Sequence, residues 1–175
     1  MEEVLFGRED SGRGIEPGLL EEANGGVVYF DEIADMPLGT QSKILRVLVE
    51  QRFQRVGGND KVQVDLRVIS STNRDLSAAI DAGLFREELY HRLNVVPIRI
   101  PGLAERREDV PDLVRYFVQT ISVASGLPPR RIGADAMAVL QSHEWPGNVR
   151  QLRNNVERLM ILVGGDADTI VTADM

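Results

Sequence analysis

The sequence predicts an α/β protein, a parallel-sheet core followed by a small all-α unit. Three observations carry that expectation. Short apolar runs, Val27-Val28-Tyr29-Phe30 and Leu66 to Ser71, read as buried strands. Helical stripes lie between and after them. From Leu103 onward the periodicity is helical only, so strands and helices divide along the chain.

The elements follow in order. Residues 1–26 are rich in Gly, Glu and Arg with weak periodicity, which predicts a mobile loop and a short helix near Leu19-Leu20. After the Val27–Phe30 strand, Asp35 and Pro37 supply a helix start, and Ile44, Leu45 and Leu48 give its stripe through about Glu50. Arg52 to Val56 and Val62 to Val64 flank Gly57-Gly58-Asn59-Asp60, a hairpin signal. Leu66 to Ser71 is the second strand, ending in Thr72-Asn73. Helices are expected near Leu76 to Ala82 and Phe85 to Leu93, then a third strand over Val95 to Ile100, closed by Pro101-Gly102.

In the second part, Asp109-Val110-Pro111 opens a helix with Val110, Leu113, Val114, Phe117, Ile121 and Ala124 on one face. A short helix covers about Ala134 to His143. The last begins at Asn148, read as its N-cap, and stops at Gly164-Gly165. The boundaries read from these patterns are 1–102 for the α/β core, 103–165 for the helical unit and 166–175 for the start of a linker.

Composition narrows the function classes. At 175 residues and 43% hydrophobic, the chain suffices for one domain or two small ones. No run is long and apolar enough to span a bilayer, and the acidic, polar start is no signal peptide. Zero cysteines remove disulfides and thiolate metal sites and fit a cytoplasmic location. Net charge is −7, which argues against sequence-independent DNA binding by this segment. Of 20 basic residues only Lys43 and Lys61 are lysine, a bias suited to bidentate recognition of phosphate or carboxylate.

Asp31 and Glu32 end the first strand. Ligands of open parallel sheets bind beyond the carboxyl ends of the strands. Two acids there can hold Mg²⁺ and polarise a water, as the Walker B element of a nucleotide hydrolase does. The alternative is a pair of solvated acids or a helix cap. Thr72-Asn73 ends the next strand, where Asn73 could orient an attacking water, although an ordinary turn explains it equally simply. Arg86 and Arg92 fall off the Phe85, Leu89, Leu93 stripe, open to a neighbour's nucleotide or to simple pairing with Glu87 and Glu88. Arg150 and Arg153 lie near a helix N-terminus, where cations oppose the macrodipole; a bound anion or an offset by Glu144 would each account for that. His91 and His143 are isolated, with no metal-ligand spacing. Neither lysine follows a glycine, so no phosphate loop is present.

Together these segments resemble the AAA+ central domain of sigma-54-dependent transcription activators. The matching stretches are Leu5-Phe6-Gly7, Leu20 to Gly26, the carboxylate strand through Pro37, Lys43 to Leu48 and Phe53 to Gly58. Phe85 to Asn94, Leu103 to Asp109 and Trp145 to Leu152 continue the match, which is closest to nitrogen-regulatory response regulators of the NtrX type.

The resemblance implies a partial AAA+ (P-loop NTPase) core with a helical lid, acting on ATP and Mg²⁺ in a two-component transcription regulator. Asp31 would help hold Mg²⁺, indirectly or through water, and Glu32 would activate water. Asn73 would belong to the first sensor, Arg86 and Arg92 would be arginine fingers reaching across a subunit boundary, and Arg150 would be the second sensor. A ring-shaped homo-oligomer follows, since each site would draw on two subunits. Two departures qualify the match. The family's phosphate loop lies upstream of Leu5, so the chain reads as a fragment that binds ATP weakly or not at all by itself. The family's Gly-Ala-Phe-Thr-Gly-Ala loop, which touches sigma-54, has no counterpart in the segment from Arg8 to Pro17, and this counts against contact with sigma-54 RNA polymerase. DNA binding would fall to a separate domain outside this chain. The other reading is a non-hydrolysing oligomerisation and signalling domain.

Overall fold

The computed structural model describes residues 1–10, 12, 14–163 and 169–174. They form two compact units, Met1–Ile98 and Arg99–Met175, each with its own core.

In the first unit a parallel pair of strands, Val27–Phe30 (β3) and Arg67–Ser70 (β6), sets the frame, with Val27 opposite Arg67 and Phe30 opposite Ser70. Between them the chain makes a 13-residue helix, Leu38–Glu50 (α3), and an antiparallel hairpin of Arg52–Gln54 (β4) and Lys61–Gln63 (β5). Ile44, Val47 and Leu48 of α3 are buried against Phe30, Phe53, Val64 and Leu66. Helices Leu76–Asp81 (α4) and Glu87–Leu93 (α5) follow; Asp75 caps α4 by accepting from the Ser77 and Ala78 amides. No side chain caps the start of α3, where the sequence suggested Asp35 and Pro37.

The first 26 residues are built into this core instead of forming a mobile loop. Glu2–Phe6 (α1) and Leu19–Glu22 (α2) bury Leu5, Phe6 and Leu20, while Arg8–Asp10 (β1) and Gly14–Glu16 (β2) pair antiparallel. Elements of three to five residues are too short to show a period, which is why the sequence suggested a loop. Gly7 and Gly18 let the two backbones touch: a Cβ on Gly18 would lie 2.2 Å from the Gly7 nitrogen. Arg55, only 11% exposed, ties the hairpin to this layer through Glu21 at 2.6 Å and Glu9 at 3.4 Å.

The expected third strand over Val95 to Ile100 is absent. This segment has no ladder partner among the described residues, and its apolar side chains are exposed, Val95 at 73% and Ile98 at 83%. A strand exists only where a neighbour supplies hydrogen bonds, and among the described residues β6 pairs with β3 alone. Val27, Tyr29 and Ile69 are likewise exposed, so one face of the two-stranded sheet is open.

The second unit is a helical bundle. Val110–Ser125 (α6) packs on Asn148–Leu162 (α8) through Val110, Val114, Leu152 and Val156, all fully buried. Ala134–Ser142 (α7) lies beside α6, and Trp145 seals the core while donating its indole N–H to the Leu140 carbonyl at 2.7 Å. Asn148 is not a side-chain cap. It opens α8 with φ of 49°, and its Oδ1 accepts the Leu103 amide at 2.8 Å, while Gln151 reaches back to the Gly147 amide. The expected Gly164-Gly165 stop lies outside the described residues. Within the stretch read as a linker start, Ile170–Val171 (β8) pairs parallel with Arg131–Ile132 (β7), adding a short ladder to the helical unit. No described helix is long and apolar enough to cross a membrane.

One buried polar residue holds much of the first unit together. Gln41 is fully buried on α3; its amide nitrogen donates to the Met36 and Leu84 carbonyls at 2.7 and 3.0 Å, and its Oε1 accepts the Arg86 amide at 2.9 Å. Gln41→Leu keeps the size but strands these three backbone groups, at roughly 1–3 kcal/mol for a buried unsatisfied group. Urea unfolding of the variant is expected to show a loss of at least about 2 kcal/mol. An unchanged midpoint would show that the network carries no stability.

Candidate functional site

The parallel register decides what meets at the carboxyl end of the sheet. Because Phe30 lies opposite Ser70, the segments Asp31-Glu32 and Ser71-Thr72-Asn73 leave the sheet side by side. The Ser71 amide donates to the Phe30 carbonyl and the Ile33 amide to the Ser71 carbonyl, both at 2.9 Å, extending the ladder past the strands.

Asp31 is exposed, and its Oδ1 accepts two hydroxyls, Ser71 Oγ at 2.7 Å and Tyr29 OH at 3.2 Å. The Tyr29 hydroxyl also reaches Ser71 Oγ at 2.9 Å, which closes a three-membered network. The Ser71 hydrogen bond first, then the Tyr29 one, holds the Asp31 carboxyl below its usual range. Glu32 adopts a left-handed backbone with φ of 50°. Its Oε2 accepts the Asn73 amide at 3.1 Å, so the second carboxylate is aimed along the neighbouring strand end. Non-glycine residues in that region carry strain and cluster at functional sites. Asp31, Glu32 and Asn73 are thus brought together, as the sequence suggested.

The arginines are placed differently from one another. Arg86 precedes α5 as its N-cap residue, with its Nε donating to the Leu38 carbonyl at 3.3 Å. Arg92 donates from Nη2 to the Leu48 carbonyl at 3.0 Å. Neither forms an ion pair with Glu87 or Glu88 among the described residues, and both are exposed. Arg150 is exposed on the first turn of α8 without an ion-pair partner among the described residues; Glu144 pairs with Arg107 instead, at 2.8 Å. Arg153 faces Glu157 at 3.9 Å. His91 lies 3.6 Å from Glu87, and His143 accepts the Trp145 amide.

A single carboxylate such as Asp31 is a fitting oxygen ligand for Mg²⁺, which keeps several waters and takes its remaining oxygens from substrate phosphates. No cluster of three or more His, Asp or Glu among the described residues could hold a metal unaided. Tyr29 and Ser71 were missed in the sequence. Strand alternation puts Tyr29 and Asp31 on one side, and that signal was available.

Ser71→Ala removes the largest influence on Asp31, so its pKa is expected to rise toward the ordinary carboxylate value. The sign follows from the depressed folded value. The stabilisation is fully present above the unfolded pKa of about 4 and is lost as pH falls through the lower folded one. A carbon-13 carboxyl titration reads the shift directly, and an unaltered titration in Ser71→Ala would contradict the network.

The chain is similar to known proteins along nearly its whole length. The family model of the Sigma-54 interaction domain matches residues 1–99, and that of the AAA+ ATPase lid domain matches residues 104–175. The nitrogen assimilation regulatory protein NtrX of Azorhizobium caulinodans is 64% identical over 176 residues, covering 100% of this chain and 39% of the relative. The DNA-binding transcriptional regulator NtrC of Rhizobium meliloti is 44% identical over 173 residues, covering 97% of this chain and 36% of the relative. A crystal structure of NtrX from Brucella abortus, 60% identical, matches with a TM-score of 0.94 over 100% of this chain and 40% of that one. Another, of the same protein in complex with ATP, is 59% identical and matches at 0.90 over 99% of this chain and 40% of that one. The chain therefore spans less than half the length of these relatives. With two successive family models covering nearly its whole length, the chain belongs to the sigma-54 interaction domains of NtrX/NtrC-type regulators, with an AAA+ lid.

Proposed function

We propose that the chain supplies the carboxylate strand, arginines and lid of an ATP-hydrolysing ring in a two-component transcription regulator. The observation that carries this reading is the convergence of Asp31, Glu32 and Asn73 at one sheet end, with Glu32 held by the Asn73 amide at 3.1 Å. Residues 1–102 form the core and residues 103–165 the lid. The phosphate cradle comes from a segment outside this chain, consistent with relatives of more than twice its length.

Each residue has a defined task. Glu32 accepts a proton from the attacking water, and its strained, tethered backbone fixes where that oxygen sits. Asn73 aligns the water toward the γ-phosphate. Asp31, held by Tyr29 and Ser71, would help hold the Mg²⁺ of a bound nucleotide, and that ion would supply charge neutralisation on the phosphates. Arg86 and Arg92, with no carboxylate partner among the described residues, reach a neighbouring subunit's nucleotide and balance charge on the transferring phosphoryl group. Arg150 contacts nucleotide from the lid.

A second reading rests on the segment from Arg8 to Pro17, whose β1 and β2 pair antiparallel and whose sequence carries no Gly-Ala-Phe-Thr-Gly-Ala motif. Under that reading the ring forms and signals without contacting sigma-54.

In a protein that includes the phosphate-loop segment, Glu32→Gln is expected to retain ATP binding and lose turnover by about 100-fold or more. Unchanged turnover would remove Glu32 from its role. Turnover per subunit is expected to rise with protein concentration, and Arg86→Ala to lower it by about 10³-fold. Concentration-independent turnover would rule out a site shared between subunits.

A further inference from the structure

The face of the first unit formed by α3 and the β4–β5 hairpin carries a groove that none of the roles above uses. It encloses about 420 Å³, within the range of small-ligand sites. Lys43 and Arg46 line one wall from successive turns of α3, and Arg52 and Lys61 line the other from the hairpin. Both lysines of the chain are therefore here, in a protein of net charge −7.

The charges in the groove do not balance. Arg46 and Lys61 have no ion-pair partner among the described residues. Lys43 pairs with Glu2, and Arg52 with Glu50 at 2.9 Å, but all four side chains are more than a third exposed, so these pairs are weak and exchangeable. Arg55, which also lines the groove, is neutralised by Glu21 and Glu9. Glu50 is the one acid in the lining. Arg52 most strongly, then Lys61 and Arg46, hold its carboxyl below the usual range. Counted with the partners Glu2, Glu9 and Glu21 that lie outside the lining, the five cations of the groove meet four carboxylates, which leaves an excess of one positive charge, with Arg46 and Lys61 unpaired among the described residues.

We propose that this groove is a binding site for a compact oligophosphate, a di- or triphosphate that is free or carried on a nucleotide. Cations on two facing walls of a small cavity suit a short multivalent anion. An extended duplex would call for a flat stripe instead of a groove lined from two elements. Glu50 occupies the position of the anion in the free protein, and the ligand displaces it from Arg52.

Calorimetric titration of the 175-residue chain with inorganic tripolyphosphate tests this. Saturable one-to-one binding is expected, weakening with salt and stronger than for orthophosphate. Arg46→Ala and Lys61→Ala, both surface changes, are each expected to weaken it by about fivefold, the scale of one exposed charge contact. Glu50→Gln removes the internal competitor and is expected to strengthen it. Arg115→Ala, in the other unit, is expected to leave it unchanged. A Lys61-dependent site that binds ATP more tightly than tripolyphosphate identifies a nucleotide-borne ligand, and equal affinities identify free phosphate chains. Absence of saturation, indifference to Arg46 and Lys61, or equal loss in Arg115→Ala would each overturn the proposal. So would tight duplex DNA binding that tripolyphosphate does not compete.

Discussion

The parallel pairing of Val27–Phe30 with Arg67–Ser70, in one register, is the constraint on which the rest of the site depends. Side chains alternate along a strand, so a slip of one residue would send Asp31 away from Ser71 and move Asn73 out of reach of Glu32. The register is fixed from both faces of the problem. Phe30 is buried against α3 on the core side, and the Ser71 and Ile33 amides continue the ladder beyond the last strand residue. The chemistry at the sheet end therefore inherits its precision from backbone hydrogen bonds and one apolar face.

The arginine placed before α5 depends on a second interaction of the same kind. Gln41 ties the start of α3 to the turn at Leu84–Arg86, so the Arg86 backbone is anchored while its side chain stays exposed. A fully satisfied buried amide specifies position in a way that apolar contacts do not, since each of its bonds has a direction. The loop between β4 and β5 is anchored by Arg55, whose two carboxylate partners lie on the N-terminal elements. The first 26 residues are thereby part of the core and not an appendage to it.

Much of this was legible in the sequence, for physical reasons that also explain the failures. The Val27–Phe30 run showed itself because a β-branched and aromatic run ending in two acids has few other uses. The α6 and α8 stripes showed themselves because long helices give many periods to read. Gln41 sits at helical spacing from Ile44, Leu45 and Leu48, so a polar residue on an apolar stripe is the signal the sequence offers for this network. Val95 to Ile100 has strand composition, but pairing is not a property of one segment, and no neighbour stands beside it among the described residues. The two-residue strands β7 and β8, and the Asn148 contact with Leu103, arise only from tertiary proximity.

The most direct test of the account is the strand register itself, read by nuclear Overhauser contacts across β3 and β6 together with the exchange rate of the Asn73 amide. The account predicts parallel contacts pairing Val28 with Val68 and Tyr29 with Ile69, and an Asn73 amide protected from exchange in the wild type but not in Glu32→Ala. Contacts displaced by one residue, or an Asn73 amide equally exposed in both proteins, would contradict it.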